Sequence, residues 1–245
     1  MISDLKKAAL SSLKGRWALG VGASLLYRVM SAVSVFIVGL PIFLLGVVVL
    51  AEIMKSSALI VEEETLNAVL ALIFVFIFVI VCFAFIAVLS IMHYGYCNVT
   101  LRLAKKESST IDDLFEGFRK KNVFKSMKLA VLMGVYVFLW SLLLIVPGII
   151  KCFSYSMAYY IMLDHPEYTA SEALKKSQEM MKGHKSDLFI LCLSFIGWFI
   201  LAAIIGIFTL SLPSFWLYPY YMTTISHFYL NLVNRNTVME EKTVI

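Results

Sequence analysis

The stretch LNAVLALIFVFIFVIVCFAFIAVLSIM, residues 66–92, carries no charged side chain, and its reading decides the fold. At ~1.5 Å per residue, a helix of this length exceeds the ~30 Å hydrocarbon layer of a bilayer. A surface helix of a soluble domain needs one apolar stripe, whereas this segment is apolar all round. Lipid offers no hydrogen bonds to the backbone, so a chain that crosses it closes those bonds within a helix.

Working outward, the sequence holds further apolar runs at 17–51, 123–146, 149–163, 188–211 and 215–233. Hydrophobic residues make up 61% of the chain and charged residues 15%, against roughly 45–50% and 25% in soluble domains. The runs extend from end to end with no Pro/Ser/Gly-rich linker. The expectation is an all-α polytopic membrane bundle of about six transmembrane helices forming a single integral membrane domain over 1–245.

Two runs have awkward lengths. A straight helix over 17–51 would be about 50 Å long, so it tilts, breaks near Gly39-Leu40-Pro41, or begins in the inner interface. Segment 149–163 is short and comes after Pro147-Gly148, so it either spans fully or is re-entrant. Proline cannot donate its backbone hydrogen bond and glycine allows unusual conformations, so Pro147 and Gly148 are expected to make a tight structural break.

The net charge of +5 arises from basic residues that flank the apolar runs. Lys6, Lys7, Lys14 and Arg16 precede the first; Arg102, Lys105, Lys106, Arg119, Lys120, Lys121, Lys125 and Lys128 separate the second and third. Lys175, Lys176, Lys182 and Lys185 separate the fourth and fifth, and Arg235 stands after the sixth. The alternate connections are poor in Lys and Arg, the first holding Glu62, Glu63 and Glu64 with Lys55. By the positive-inside rule both termini are cytoplasmic, which makes the chain a multi-pass protein of the cytoplasmic membrane. This distribution is an orientation signal and argues against nucleic acid as a partner. The N-terminal apolar run is too long for a signal-peptide core and is expected to be retained.

Thr110-Ile111-Asp112-Asp113 and Thr169-Ala170-Ser171-Glu172 each place a hydroxyl three residues before an acid, the spacing of a helix N-cap. Short amphipathic cytoplasmic helices are expected after them, on the inner leaflet. The two caps expose a repeat: Tyr94-Gly95-Tyr96 and Phe153-Ser154-Tyr155 stand at the same distance before them, offset by about 59 residues. Tyr218-Pro219-Tyr220 is a third such triplet. Three parallel helical hairpins about the membrane normal would explain this pattern.

Catalytic and nucleotide-binding motifs are missing: there is no Gly-rich phosphate loop, no H-E-x-x-H and no G-x-S-x-G. Cys82, Cys97, Cys152 and Cys192 lie in or beside apolar runs without metal-ligand spacing, so neither a metal nor a cofactor is expected. Ionisable groups at membrane depth are then the candidates. Arg28 either faces a cavity or snorkels to the interface. Lys151 either attracts an anionic headgroup, lines an outer vestibule, or snorkels. His93 and His227 read as aromatic-belt packing beside Tyr94 and Tyr229. The polar stretch from Asp164 to Asp187 reads as a solvated, salt-bridged helix face. Within it, Lys182, His184 and Lys185 surround Gly183, which can end a helix in the left-handed conformation and leave cations for a phosphate headgroup.

Several motifs carry a family resemblance: LLLIVPGIIK (142–151), the run Phe153-Ser154-Tyr155-Ser156-Met157-Ala158, EALKKSQEMMKGHK (172–185) and SFIGW (194–198). Together they resemble the bacterial integral membrane family catalogued as domain of unknown function 975, over nearly the whole chain. More distantly the sequence resembles the membrane domain of some glycerophosphodiester phosphodiesterases, whose soluble catalytic barrel has no counterpart here. The resemblance implies a topology and a location and supplies no catalytic residue. The leading expectation is a non-enzymatic membrane protein that binds or moves a lipid, peptide or other amphiphile, or supports a membrane complex. The alternative is a membrane-embedded enzyme acting on a phospholipid headgroup. Expected partners are membrane lipids, with a membrane protein or a second copy of the chain.

Overall fold

The structure, a computed structural model, describes residues 1–55, 64–209 and 211–243. Glu62 and Glu63 lie outside the described residues. The described chain is helical, with no strand among the described residues: α1 (Ile2–Leu13), α2 (Trp17–Lys55), α3 (Glu64–Ala104), a 3-10 segment (Ile111–Phe118), α4 (Lys120–Leu143), α5 (Ile145–Tyr155), α6 (Ala158–Asp164), α7 (Ala170–Met180), α8 (Lys185–Phe208) and α9 (Leu212–Thr243). Among the described residues, three segments are long and apolar enough to cross a membrane: Lys121–Leu143, Ile145–Asp164 and Lys185–Phe208.

The chain divides into two compact units, one of residues 28–89 and one of residues 1–27 with 90–245. The first consists of the distal part of α2 and the proximal part of α3. Many of its described apolar side chains, such as Phe36, Ile37, Leu72 and Phe76, are exposed, as suits a helix solvated by hydrocarbon. Gly39-Leu40-Pro41 does not break α2, which runs as one helix of 39 residues with Pro41 inside it. Similarly, α3 continues well beyond residue 92 to Ala104.

In the larger unit, α4 and the α5–α6 pair form an antiparallel hairpin. Tyr136 and Tyr155 lie 6.1 Å apart between ring centroids, and at the far end the Lys125 ammonium donates to the Pro166 carbonyl. The reversal occurs earlier than Pro147-Gly148. Leu144 is the extended residue (φ −162, ψ 148) and α5 starts at Ile145. Pro147 therefore sits in the first turn of α5, where its missing N–H has no helical acceptor to serve. Gly148 is helical and buried, so its lack of a side chain serves close packing and not a turn. Another short interruption, at Ser156 and Met157, separates α5 from α6.

A second antiparallel hairpin joins α8 to α9 through a turn at Ser211 (φ 61). Phe195 meets Tyr220 at 5.1 Å, and Phe199 meets Tyr221 at 5.5 Å. The N-terminal helix α1 lies along the second half of α9. It buries Leu5, Ala9 and Leu13, and its Ser12 Oγ is 3.0 Å from His227 Nε2.

The two capped segments pack on the membrane-length helices. Thr169 accepts from the Glu172 amide at 3.4 Å, and Glu172 returns a bond to the Thr169 amide at 2.7 Å. Ser177 of α7 then donates to the Ser154 carbonyl at 2.8 Å. The Thr110 amide is held by Asp113 at 2.8 Å, and the short helix that follows over residues 111–118 is of the 3-10 type. It lies so close to α3 that a Cβ at Gly95 would stand 2.6 Å from the Leu114 carbonyl carbon.

Candidate functional site

The centre of the larger unit is aromatic and polar. Tyr27, Tyr96 and Tyr218, from α2, α3 and α9, stack on one another with centroids 5.2 to 5.7 Å apart. His93 meets the edge of Tyr159 at 4.8 Å, and its Nε2 is 3.5 Å from Cys97 Sγ. Tyr160 and Tyr229 stack at 5.4 Å. The Tyr229 hydroxyl then donates to Asp164 at 2.9 Å, and Lys105 reaches the other carboxylate oxygen at 2.6 Å. Nearby hydroxyls bond within their own helices: Thr100 to the Tyr96 carbonyl, Thr224 to that of Tyr220, and Ser226 to that of Met222. Such bonds make buried hydroxyls tolerable in an apolar layer, and the arrangement locks three helices at one level.

Among the described residues, cavities flank this centre, and two of them bear on function. One is an apolar groove of about 410 Å³ between the start of α2, α8 and the start of α9, lined by Trp17, Trp198, Leu201, Ile205, Trp216 and Tyr220 among others. It gathers three of the chain's four tryptophans. Trp198 and Trp216 are 59% and 51% exposed, so the groove opens sideways. Lys14 and Arg16 precede Trp17, and Arg16 is held by the carbonyls of Glu107 and Lys106. Lys6 reaches from α1 to the Ser194 carbonyl at 3.0 Å and stands 4.3 Å over Phe195, the ring that packs on Tyr220.

The other cavity is a half-open polar cleft of about 430 Å³ where α3, the 3-10 segment, α4 and the end of α6 meet. Arg102 pairs with Asp113 at 2.6 Å, and Arg119 with Glu116 at 3.1 Å. Burial raises the Asp113 carboxyl, but the Thr110 amide and the Arg102 guanidinium outweigh it and hold the group below its ordinary value.

The candidate contacts read from the sequence are distributed differently. Arg28 begins the smaller unit. Lys151 lies over the Trp140 ring at 4.8 Å and near Tyr155 at 6.0 Å, so its charge is held against aromatic faces. Lys182, His184 and Lys185 share the α7–α8 turn, where Gly183 has φ 80. Lys182 is exposed, His184 caps α8 with Nδ1 3.1 Å from Asp187 Oδ2, and Lys185 opens that helix. Sequence reasoning misses the groove and the cleft. Concentration of tryptophan on three separate runs is a signal for the first. In the second, Arg102, Arg119 and Lys121 read from the sequence only as orientation charges.

These features define a helical protein with membrane-length segments and side chains adapted to hydrocarbon. Residues 142–236 match the family described as "Protein of unknown function (DUF975)", which is the family that the 142–151 and 172–185 motifs resemble. No curated protein and no solved structure matches the chain.

Proposed function

We propose that the protein is a non-enzymatic, six-span protein of the cytoplasmic membrane that binds an anionic amphiphile by its acyl chain in the tryptophan-lined groove. The groove carries this reading. Its lining is apolar, it opens on the flank of α8, a membrane-length helix, and aromatic walls grip a chain without needing polar partners. Lys14, three residues before Trp17, supplies a cation for the headgroup.

The six-span, N-in arrangement is supported by the distribution of Lys and Arg and by levels within the larger unit. Tyr96 faces Tyr218, Lys105 faces Asp164, and Asp164 faces Tyr229. These pairs support a reading in which α3, α6 and α9 run side by side in one direction, as three parallel hairpins would. Helix α9 lacks the hydropathy of a simple span because Thr223, Thr224 and Ser226 are polar, and all three are fully buried.

Tryptophan fluorescence in zwitterionic vesicles tests the reading. A small fraction of brominated-chain anionic lipid should quench more than the same fraction of brominated zwitterionic lipid, and Trp198→Phe with Trp216→Phe should remove most of the difference. Equal quenching by the two lipids would sink the proposal.

A further inference from the structure

The polar cleft combines groups whose charges are poorly placed for an empty site. Helix α4 opens with Arg119 as its N-cap, then Lys120 and Lys121; it has no side-chain cap and no acid in its first turn. A helix N-terminus carries partial positive charge and free amides, so consecutive cations there repel it. The acids nearby do not relieve this. Asp113 is held by Arg102 and by the Thr110 amide. Glu116 takes one Arg119 nitrogen and also accepts from Asn122 at 3.2 Å.

An independent observation comes from the floor of the cleft. Tyr94 is only 5% exposed, lines the cavity, and its hydroxyl makes no hydrogen bond among the described residues. Beside it, Asn98 donates its amide nitrogen to the Asp113 carbonyl at 3.3 Å, which ties the 3-10 segment to the wall of the cleft. A hydroxyl on so buried a side chain is normally paired, and here the side chain lines a cavity of about 430 Å³ in which a partner can sit.

We propose that this cleft binds a phosphate group, presented either by a phospholipid headgroup or by a soluble phosphorylated molecule. Phosphate oxygens can meet Arg119, Lys121 and the α4 amides together, and Tyr94 donates from the floor. The charge of a phosphate offsets the cations and the helix end at once. A phospholipid can reach the cleft because Lys121 begins a membrane-length segment, which places the site at headgroup depth. The site is separate from the tryptophan groove and does not depend on it.

Phosphorus NMR on the full chain in a phosphorus-free detergent tests this, with inorganic phosphate and short-chain phosphatidylglycerol as probes. Saturable broadening of inorganic phosphate supports the site with a soluble source. Saturation by the lipid alone supports it with a headgroup source. Arg119 is 74% exposed and Lys121 is exposed, so Arg119→Gln and Lys121→Gln leave the fold intact, and each should weaken binding about tenfold. Tyr94→Phe keeps the ring and should weaken it by about three- to tenfold. Absence of saturation with both probes, or wild-type affinity in the Arg119→Gln/Lys121→Gln double variant, overturns the proposal.

Discussion

Gly148 packs directly on Ser141 across the α4–α5 reversal, so closely that an added Cβ would lie 3.1 Å from Ser141 Cα and 3.0 Å from its Cβ. The serine hydroxyl can rotate away, but its backbone cannot. Gly148→Ala should therefore cost about 1–3 kcal/mol through overpacking, and Gly148→Leu more. Gly134 in the same α4 has nothing within 4 Å of a Cβ, and Gly134→Ala should stabilise by about 0.5–1 kcal/mol. Thermal unfolding in detergent checks the opposite signs; equal effects at the two glycines would contradict the close approach.

Gly95 presents a harsher case. Its Cβ would meet backbone alone, 2.6 Å from the Leu114 carbonyl carbon and 3.2 Å from its Cα. Gly95→Ala should expel the 3-10 segment from α3 and lower the melting temperature more than Gly148→Ala does. Proteolysis within 111–118 should accelerate in parallel. An unchanged cleavage rate would mean that the segment is not held at this glycine.

How much of the fold is legible in the sequence depends on whether the cause is local. The capped turns are readable, because Thr169 and Glu172 bond each other across one turn. So is a reversal near Pro147, since one helix through residues 123–163 would be about twice the bilayer thickness. Its position to the residue is not, because proline is as acceptable in a first turn as in a break. Helix α1 escapes notice although Leu5, Ala9 and Leu13 recur at helical spacing, since Lys6 and Lys7 draw the reading toward orientation. The groove and the cleft depend on tertiary neighbours, such as Trp17 with Trp198 or Tyr94 with Arg119, which no local pattern pairs.

Acid should release the 3-10 segment. The Asp113 carboxyl is below its ordinary value of 3.8 in the folded protein because the Thr110 amide and Arg102 outweigh burial. A depressed folded pKa contributes stability that is present above the unfolded value and lost as pH falls through the folded one. The melting temperature should accordingly fall as the pH drops below about 4, and Asp113→Asn should flatten part of that fall. Glu172 is lowered by its bond to the Thr169 amide and acts in the same window. Identical acid limbs in wild type and Asp113→Asn would show that the pair with Arg102 contributes nothing to folding.

Within the larger unit Asp164 serves two partners from different helices, Lys105 of α3 and the Tyr229 hydroxyl of α9. The partners are not equivalent. The Lys105 side chain is 32% exposed, so water can solvate its ammonium when the carboxylate is removed, whereas Tyr229 is 1% exposed and its hydroxyl would lose its partner inside the protein. Lys105→Gln should therefore cost no more than about 1 kcal/mol, as part-exposed ion pairs do. Tyr229→Phe, which removes the hydroxyl and keeps the ring stacked on Tyr160, should cost about 1 kcal/mol. Asp164→Ala should exceed both, by about 1–3 kcal/mol for the stranded hydroxyl, and most of that excess should vanish when Tyr229→Phe is already present. A double-mutant cycle by unfolding in detergent measures the coupling. Simple additivity of Asp164→Ala and Tyr229→Phe would show that the hydroxyl finds another acceptor, and that the three helices are joined at this level by ring packing alone.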